Sequence, residues 1–278
     1  MAIKITTLSE NTASMAGILA EWGLSFFIEA DGKKILLDAG AGISAANNAE
    51  KLGIDLASID KIVLSHGHYD HTGGLMQILS LINHEVEIIA HPDIWADKYG
   101  IGPGKPERYI GIPYSKEELE DLGARFTLTS KSVQISENIF TTGEVPMTTD
   151  FETIESSLFV KTGSGFEPDK LADDQALVIK DPLGLIVVLG CAHRGMINTL
   201  YHARQIAGVQ KIYMVIGGCH LYNDSDEKIW QTISSLNELG VKKLAVSHCT
   251  GNHATVILAQ TFGHDFIFNN AGNIINLP

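Results

Sequence analysis

Runs of apolar residues alternate along the chain with stretches of helical periodicity. In the first half, strands are predicted at about 3–7, 24–30, 34–38, 61–65 and 86–92, and helices at 45–52 and 76–82. Asp31 and Gly32 form a tight-turn signal between the second and third strands, which predicts a hairpin. Strands that alternate with helices in this way are typical of an α/β domain.

The second half of the chain repeats this order of elements. A hairpin is predicted from 176–180 and 185–189, followed by helices at 196–207, 226–239 and 252–262 and strands at 211–216, 243–246 and 265–268. The pattern therefore predicts two pseudo-repeated halves, each with a mixed sheet, within one domain that spans residues 1–278.

The pattern breaks between the two halves. Residues 96–126 are rich in turn signals and include a short helix with Ser115 and Glu118 placed as a capping box, which predicts an inserted lid segment. Short strands are predicted at 132–135 and 139–142. Residues 143–174 show little periodicity, which predicts a long functional or mobile loop.

Composition narrows the range of partners. The net charge of −13 opposes binding to DNA or RNA, because nucleic-acid sites need clustered Lys and Arg. No apolar run reaches the roughly 18 residues of a membrane helix, and the first residues lack the apolar core of a signal peptide. We therefore expect a cytoplasmic protein with no nucleic-acid or membrane partner and with a small-molecule substrate.

Four potential metal ligands follow the predicted strand at 61–65. They are His66, His68, Asp70 and His71. The two residues His66 and His68 can face one side of a strand end, while Asp70 and His71 turn with the chain toward a neighbouring point. Imidazole and carboxylate groups bind zinc, iron and manganese, and burying so many of them without an ion is costly. One loop could therefore serve two metal positions.

Other polar residues follow strands of the second half. Cys191 and His193 come after the strand at 185–189, His220 after 211–216, and His248 after 243–246. Open α/β sheets bind ligands beyond the carboxyl ends of their strands. If the two halves pack face to face, these side chains meet the cluster of the first half at one edge.

The segment 66–71 resembles the HxHxDH signature of the metallo-β-lactamase superfamily. The segments 143–146 (GEVP), 190–195 (GCAHRG), 217–221 (GGCHL) and 247–251 (SHCTG) are similar to a branch that includes an archaeal dihydropteroate-type synthase and metal-dependent hydrolases. The resemblance implies an αββα four-layer sandwich. It also implies one or two divalent metal ions, with zinc as the first expectation and iron or manganese as alternatives.

The resemblance also implies roles for the candidate ligands. His66 and His68 would hold the first metal, and Asp70, His71 and His248 the second. Family members usually place an Asp or Cys in the loop after the strand at 185–189. This chain has Cys191 followed by His193 there. His193 is the expected ligand, and the Cys191 thiolate is the alternative.

Two residues are predicted to act in catalysis and three in substrate binding. Asp70 is placed to ligate the metal or to orient the attacking group. His220 is a candidate general acid, with ligation or a structural role as alternatives. Glu144 is expected to bind a polar group of the substrate or a histidine beside the metal, with a solvated turn carboxylate as the alternative. The helix starts near Arg194 and Thr250 are expected to bind an anion.

These residues support three functions. The leading prediction is a metal-dependent hydrolase in which an activated water attacks a small anionic, phosphorylated metabolite. The second is a dihydropteroate-type synthase, in which an aromatic amine displaces diphosphate; this prediction rests on the resemblance alone. The third is a metal-binding sensor without catalysis.

Overall fold

The computed structural model describes residues 2–277, and the predicted alternation of strands and helices is present in both halves. The elements of the first half are β1 (Ile3–Ser9), β2 (Ser25–Ala30), β3 (Lys33–Leu37), α1 (Ser44–Lys51), β4 (Lys61–Val63), α2 (Tyr69–Thr72), α3 (Leu75–Ile82) and β5 (Val86–Ala90). The short helix α2 was not predicted, and the other elements begin and end within a few residues of the predicted bounds.

The middle of the chain carries shorter elements, and the second half carries longer helices. The middle elements are β6 (Lys98–Gly100), β7 (Arg108–Tyr109), α4 (Lys116–Asp121), β8 (Ala124–Leu128), β9 (Ile139–Thr141), β10 (Leu158–Thr162) and β11 (Gly165–Pro168). The later elements are β12 (Ala176–Asp181), β13 (Gly184–Leu189), α5 (Met196–Ala207), β14 (Ile212–Gly217), α6 (Asp226–Glu238), β15 (Lys243–Val246), α7 (Asn252–Phe262) and β16 (Ile274–Leu277).

The strands form two large sheets and one small sheet. The seven-stranded sheet has the order β16-β1-β2-β3-β4-β5-β8, and the five-stranded sheet has the order β15-β14-β13-β12-β9. In each large sheet an antiparallel hairpin continues into parallel strands, β3 to β4 to β5 in the first and β13 to β14 to β15 in the second. The carboxyl ends of equivalent strands therefore meet at one edge.

Three buried clusters define the layers. One lies between the two sheets, where side chains such as Ile35 and Val63 face Ile186 and Ile216. A second joins the outer face of the seven-stranded sheet to α1, α3 and α4, and a third joins the five-stranded sheet to α5, α6 and α7. The layers thus run helix, sheet, sheet, helix. The α/β fold expected from the sequence is confirmed.

Local sequence explains the first hairpin and the central strands. Asp31 and Gly32 have φ values of 50° and 69°, as a two-residue turn between twisted strands requires. Every residue of β13 is buried because helices cover one face of its sheet and the other sheet covers the opposite face. The strand predicted from the apolar run at 185–189 is therefore confirmed.

The predicted lid segment is only partly separate from the main sheets. Its last strand, β8, pairs in parallel with β5, and α4 packs against α3 and β8. The remaining part, β6 and β7, joins β10 and β11 in the small sheet, whose order is β11-β10-β6-β7. The prediction of a long loop at 143–174 is wrong at β10 and β11. These strands lie at the surface, so they lack a buried face that would give an apolar period.

Two further predicted strands were wrong. Residues 132–135 make one isolated bridge, from Gln134 to Phe140, and Phe266 makes one bridge to Leu244. The strand β16, which pairs with β1, was not predicted because only two of its four residues are buried. No helix within residues 2–277 is both long and apolar enough to cross a membrane.

Candidate metal centre

Four residues that follow strands have a left-handed backbone conformation, beside the polar side chains of the site. Asp38 follows β3, Ala192 follows β13, His220 follows β14 and His248 follows β15, and all four have positive φ, between 47° and 60°. A left-handed conformation costs a residue with a Cβ about 1 kcal/mol or more, and such residues gather at functional sites. Strain at all four strand ends indicates that the loops after these strands are held in the conformation that brings their side chains to the shared edge of the sheets.

The first group of converging side chains contains the imidazoles of His66, His68 and His193. Nε2 of His66 lies 3.0 Å from Nδ1 of His68 and 3.3 Å from Nε2 of His193. Burial, together with neighbouring imidazoles, holds the pKa of His66 and of His193 well below the usual value, and burial lowers the pKa of His68 to about 3. Neutral imidazoles are the form in which histidine binds a metal.

The second group contains Asp70, His71 and His248. Their ligand atoms lie within 4.8 Å of one another, and Nε2 of His248 is 3.4 Å from Oδ2 of Asp70. Burial raises the pKa of Asp70, but the nearby imidazoles outweigh it and leave the pKa lowered. Burial lowers the pKa of His71, but the carboxylates of Asp38 and Asp70 raise it to about 9. The carboxylate of Asp70 is therefore ionised and available to a cation.

The Cys191 thiol joins the two groups. Its Sγ lies 3.0 Å from Nε2 of His71, and it belongs both to a cluster with His66 and His71 and to one with His248 and Cys249. Although the sequence offers Cys191 and His193 as alternative ligands, the structure brings both to the centre. Burial raises the pKa of the Cys191 thiol well above its ordinary value. A bound cation would oppose this effect by favouring the thiolate.

These residues fit a divalent cation on two observations. Within residues 2–277, the buried Nε2 atom of His68 has no hydrogen-bond partner. A buried polar atom without a partner costs about 1–3 kcal/mol, and a metal bond would offset that cost. Imidazole, carboxylate and thiol groups also suit zinc, iron and manganese. The two groups offer positions for one or two ions, and zinc stays the expected identity.

Hydrogen bonds from outside the two groups fix the imidazole rings. Oδ2 of Asp38 lies 2.7 Å from Nδ1 of His71, and the Ser65 hydroxyl donates to the same oxygen. Oγ of Ser65 also lies 2.9 Å from Nδ1 of His66. Oδ1 of Asn11 lies 2.9 Å from Nδ1 of His248. Such partners orient ligating imidazoles and fix their tautomers.

Asp173 and Asp174 bind the backbone of the two loops that carry His66, His68 and His193. Asp173 accepts a hydrogen bond from the N–H of Gly67, and Asp174 accepts one from the N–H of Arg194. Gly67 is confined at this point, since a Cβ added to it would clash with the backbone oxygen of Ile94. Asp173 also pairs with the buried ammonium of Lys98, at 2.9 Å.

The side chains of the three residues predicted to bind substrate contact other groups of the protein. The Arg194 guanidinium donates to the carbonyls of Val145 and Lys170, and it lies 3.6 Å from the Glu144 carboxylate. The Thr250 hydroxyl is fully buried and donates to a carbonyl three residues earlier in the chain. None of these three residues lines the pocket described next, and substrate binding by Glu144 and by the helix starts near Arg194 and Thr250 stays a prediction.

A pocket of about 210 Å³ lies beside the two groups of candidate metal ligands. His220 lines it, with Nε2 3.7 Å from Oε2 of Glu155 and its ring centroid 4.2 Å from that of His193. The lining residues are Trp22, His68, Tyr69, Asp70, Arg108, Ile110, Glu155, Leu158, Cys191, His193, His220, His248 and Cys249. The predicted catalytic residues Asp70 and His220 therefore face the same space as the candidate ligands.

Comparison with known proteins identifies the family. The model of the metallo-beta-lactamase superfamily matches residues 23–248. The chain belongs to this superfamily. It is 37% identical to 7,8-dihydropterin-6-methyl-4-(beta-D-ribofuranosyl)-aminobenzene-5'-phosphate synthase of Methanocaldococcus jannaschii, over 98% of this chain and 96% of that protein. An uncharacterized protein of the same organism is 32% identical over 98% of this chain and 100% of its own length.

Solved structures agree with the superfamily fold. A protein described as a metal-dependent hydrolase of the beta-lactamase superfamily has a TM-score of 0.85 and 28% identity, and the match covers 99% of each chain. The resemblance drawn from the sequence is confirmed, as is the expectation of an enzyme. Superfamily members typically bind divalent metals, in keeping with the clustered ligand groups.

Several residues beside the candidate ligands were not predicted as site residues. Asp38 could have been found from its position at the end of a predicted strand that matches the strand before Cys191. Glu155 and Trp22 lie in segments without periodicity, and only the folded chain brings them to the pocket.

Proposed function

We propose that this metallo-β-lactamase superfamily member is a metal-dependent transferase, in which an aromatic amine displaces diphosphate from the methyl group of a dihydropterin. The observation that carries the proposal is the 37% identity, over nearly the whole of both chains, to a protein named as the synthase of such a product. Hydrolysis leads when the sequence is considered alone. The extent of this similarity supports transfer as the first candidate.

The reaction joins two substrates and releases one leaving group. The relative's product contains a dihydropterin linked through its 6-methyl group to an aminobenzene that carries a ribofuranosyl 5'-phosphate. We infer that the amine nitrogen forms a bond to the methyl carbon while the bond from that carbon to the diphosphate oxygen breaks. The amine nitrogen loses one proton, and diphosphate leaves with the electron pair.

Each group of residues has a role in this proposal. His66, His68 and His193 would hold one divalent ion, and Asp70, His71 and His248 a second. Ions held there would neutralise the charge that develops on the departing diphosphate. Asp70 contributes its ionised carboxylate to the second group.

His220 is the proposed proton acceptor. It lines the pocket beside the ligand groups and lies 3.7 Å from the Glu155 carboxylate. We infer that Nε2 of His220 takes the proton of the attacking amine. The Glu155 carboxylate would then stabilise the imidazolium that forms, because an opposite charge at this distance favours the protonated ring.

Hydrolysis is the second candidate. The structural relative with 28% identity is described as a metal-dependent hydrolase. The same residues would serve if water took the place of the amine, so the two reactions differ in the nucleophile that the pocket admits.

Diphosphate release tests the choice. Metal-loaded protein is incubated with 6-hydroxymethyl-7,8-dihydropterin diphosphate, with and without 4-(β-D-ribofuranosyl)aminobenzene 5'-phosphate. Release that requires both compounds supports the transferase, and release without the amine supports a hydrolase. No release by a protein that still binds metal contradicts both and favours the sensor. The variant His220→Asn should lose activity at unchanged metal content, whereas His264→Asn, a surface change, should retain it.

A further inference from the structure

The rim of the pocket carries an arginine fixed to the metal-binding loop. Arg108 donates from Nη2 to the hydroxyl of Tyr69, at 3.3 Å, and its Cζ lies 5.3 Å from the centroid of the Tyr69 ring. Tyr69 stands between the candidate ligands His68 and Asp70, and its N–H donates to the carbonyl of Ile110. The Arg108 guanidinium is therefore held at a defined place relative to the candidate metal ligands, although it is exposed.

Arg108 is a cation without a protein anion. Among the described residues that line the pocket it is the only Lys or Arg, and within residues 2–277 no carboxylate lies within ion-pair distance of it. The two carboxylates of the lining are otherwise engaged, Asp70 with His248 and Glu155 with His220. An Arg fork with free donors matches the geometry of a phosphate.

The rim also carries exposed aromatic side chains. Trp22 is 48% exposed and lines the pocket, and its ring lies 5.3 Å from that of His248. Tyr222 is 56% exposed and packs edge-on against Trp22, at 5.8 Å. Large aromatic residues left open beside a polar site offer a flat apolar surface to a planar ring.

We propose that this rim selects the arylamine substrate, with Arg108 binding its ribosyl phosphate and Trp22 contacting its aromatic ring. The inference rests on the transferase proposed above. Diphosphate, the more highly charged group, is assigned to the metal ions on the floor of the pocket. The cation at the rim is thus left for the phosphate monoester of the second substrate.

A comparison of ligands with and without phosphate tests the role of Arg108. Binding of 4-(β-D-ribofuranosyl)aminobenzene 5'-phosphate and of its dephosphorylated form is measured by calorimetry on metal-loaded protein. Arg108→Gln should weaken binding of the phosphorylated compound by about 10- to 100-fold, the usual loss for a charge-assisted hydrogen bond, and leave the other unchanged. Arg108→Lys should lose less, because it keeps the charge but not the fork. Arg125→Gln, an exposed arginine on β8, is the matched control.

Trp22 is tested by a similar pair of variants. Trp22→Ala should weaken binding of both arylamines by a similar factor, because the ring is common to them, whereas Trp230→Ala on the exposed face of α6 should change neither.

In turnover, Arg108→Gln should raise KM for the phosphorylated arylamine and leave KM for the pterin diphosphate unchanged.

Other results would overturn the inference. Equal weakening of both arylamines by Arg108→Gln would show that Arg108 acts through the fold, and a raised KM for the pterin diphosphate would assign Arg108 to the other substrate. Failure of the unaltered protein to bind the phosphorylated arylamine would also overturn it. Binding is measured without turnover, so an inactive protein whose affinity still depends on Arg108 would refute the transferase and keep the anion site.

Discussion

Oδ2 of Asp38 lies 2.7 Å from Nδ1 of His71, and both side chains are fully buried. The two residues follow neighbouring parallel strands, since Asp38 comes directly after β3 and His71 belongs to α2, which follows β4. The carboxylate fixes the tautomer of His71 so that Nε2 is left to face the metal position. The fold therefore supplies both the candidate ligand and the group that orients it.

The first prediction concerns this carboxylate. Asp38→Asn should lower the affinity for zinc by about 10- to 100-fold, because a neutral amide holds the His71 ring less firmly and lowers its basicity. Affinity is measured by competition with a chromophoric chelator. Asp121→Asn, an exposed change at the end of α4, should leave the affinity unaltered. Equal affinity of the Asp38 variant and the unaltered protein would contradict the orienting role.

Much of the fold could be predicted because its signals are local. The turn at Asp31 and Gly32 and the buried run of β13 mark a hairpin and a covered strand without any knowledge of distant residues. The candidate ligands could be predicted for a similar reason. They follow apolar runs directly, and the carboxyl ends of parallel strands meet at one edge.

The rest depends on contacts between distant parts of the chain. Lys98 reads as a polar residue in a turn-rich segment, yet it is buried against carboxylates 71 and 75 positions later. The side-chain contacts of Arg194 and Thr250 could not be predicted for the same reason. A helix start indicates free N–H groups, but the sequence does not show which side chains and carbonyls already surround it.

The second prediction separates the two ligand groups. His248→Ala should lower the metal content by about one equivalent in protein loaded with two, because it removes an imidazole from the group of Asp70 and His71 and leaves the group of His66 intact. Elemental analysis after desalting measures the content. The control His253→Ala changes an exposed histidine on α7 and should keep the full amount. An unchanged content in the His248 variant would exclude this residue as a ligand.

The third prediction concerns the ammonium of Lys98, which is 1% exposed and lies 2.8 Å from Asp169 and 2.9 Å from Asp173. Lys98→Met should lower the free energy of unfolding by about 3–5 kcal/mol, because it leaves two buried carboxylates without their cation. Urea denaturation with a chelator present measures the change apart from metal binding. Lys105→Met, in the exposed turn of the same segment, should stay within about 0.5 kcal/mol. A small loss for Lys98→Met would mean that water replaces the ammonium.

The fourth prediction is a pH dependence of stability that arises at Glu152. This buried carboxylate accepts hydrogen bonds from the N–H groups of Ile197 and Asn198 at the start of α5. Burial raises its pKa above the ordinary value of 4.5, and the hydrogen bonds only partly oppose that effect. The folded chain therefore holds this proton more tightly than the unfolded chain does. The contribution to stability is complete below the unfolded pKa and is lost as the pH rises through the folded one.

Comparison with Glu152→Gln isolates this contribution, because the variant has no proton to lose at that position. The free energy of unfolding of the unaltered protein, minus that of the variant, should fall as the pH rises from about 4.5. Urea denaturation at several pH values, with a chelator present, gives the difference. Glu227→Gln is the control, since that carboxylate lies exposed in the first turn of α6 and loses little solvation on folding. A difference that rises with pH would mean that the two N–H groups outweigh burial and that the pKa of Glu152 is lowered.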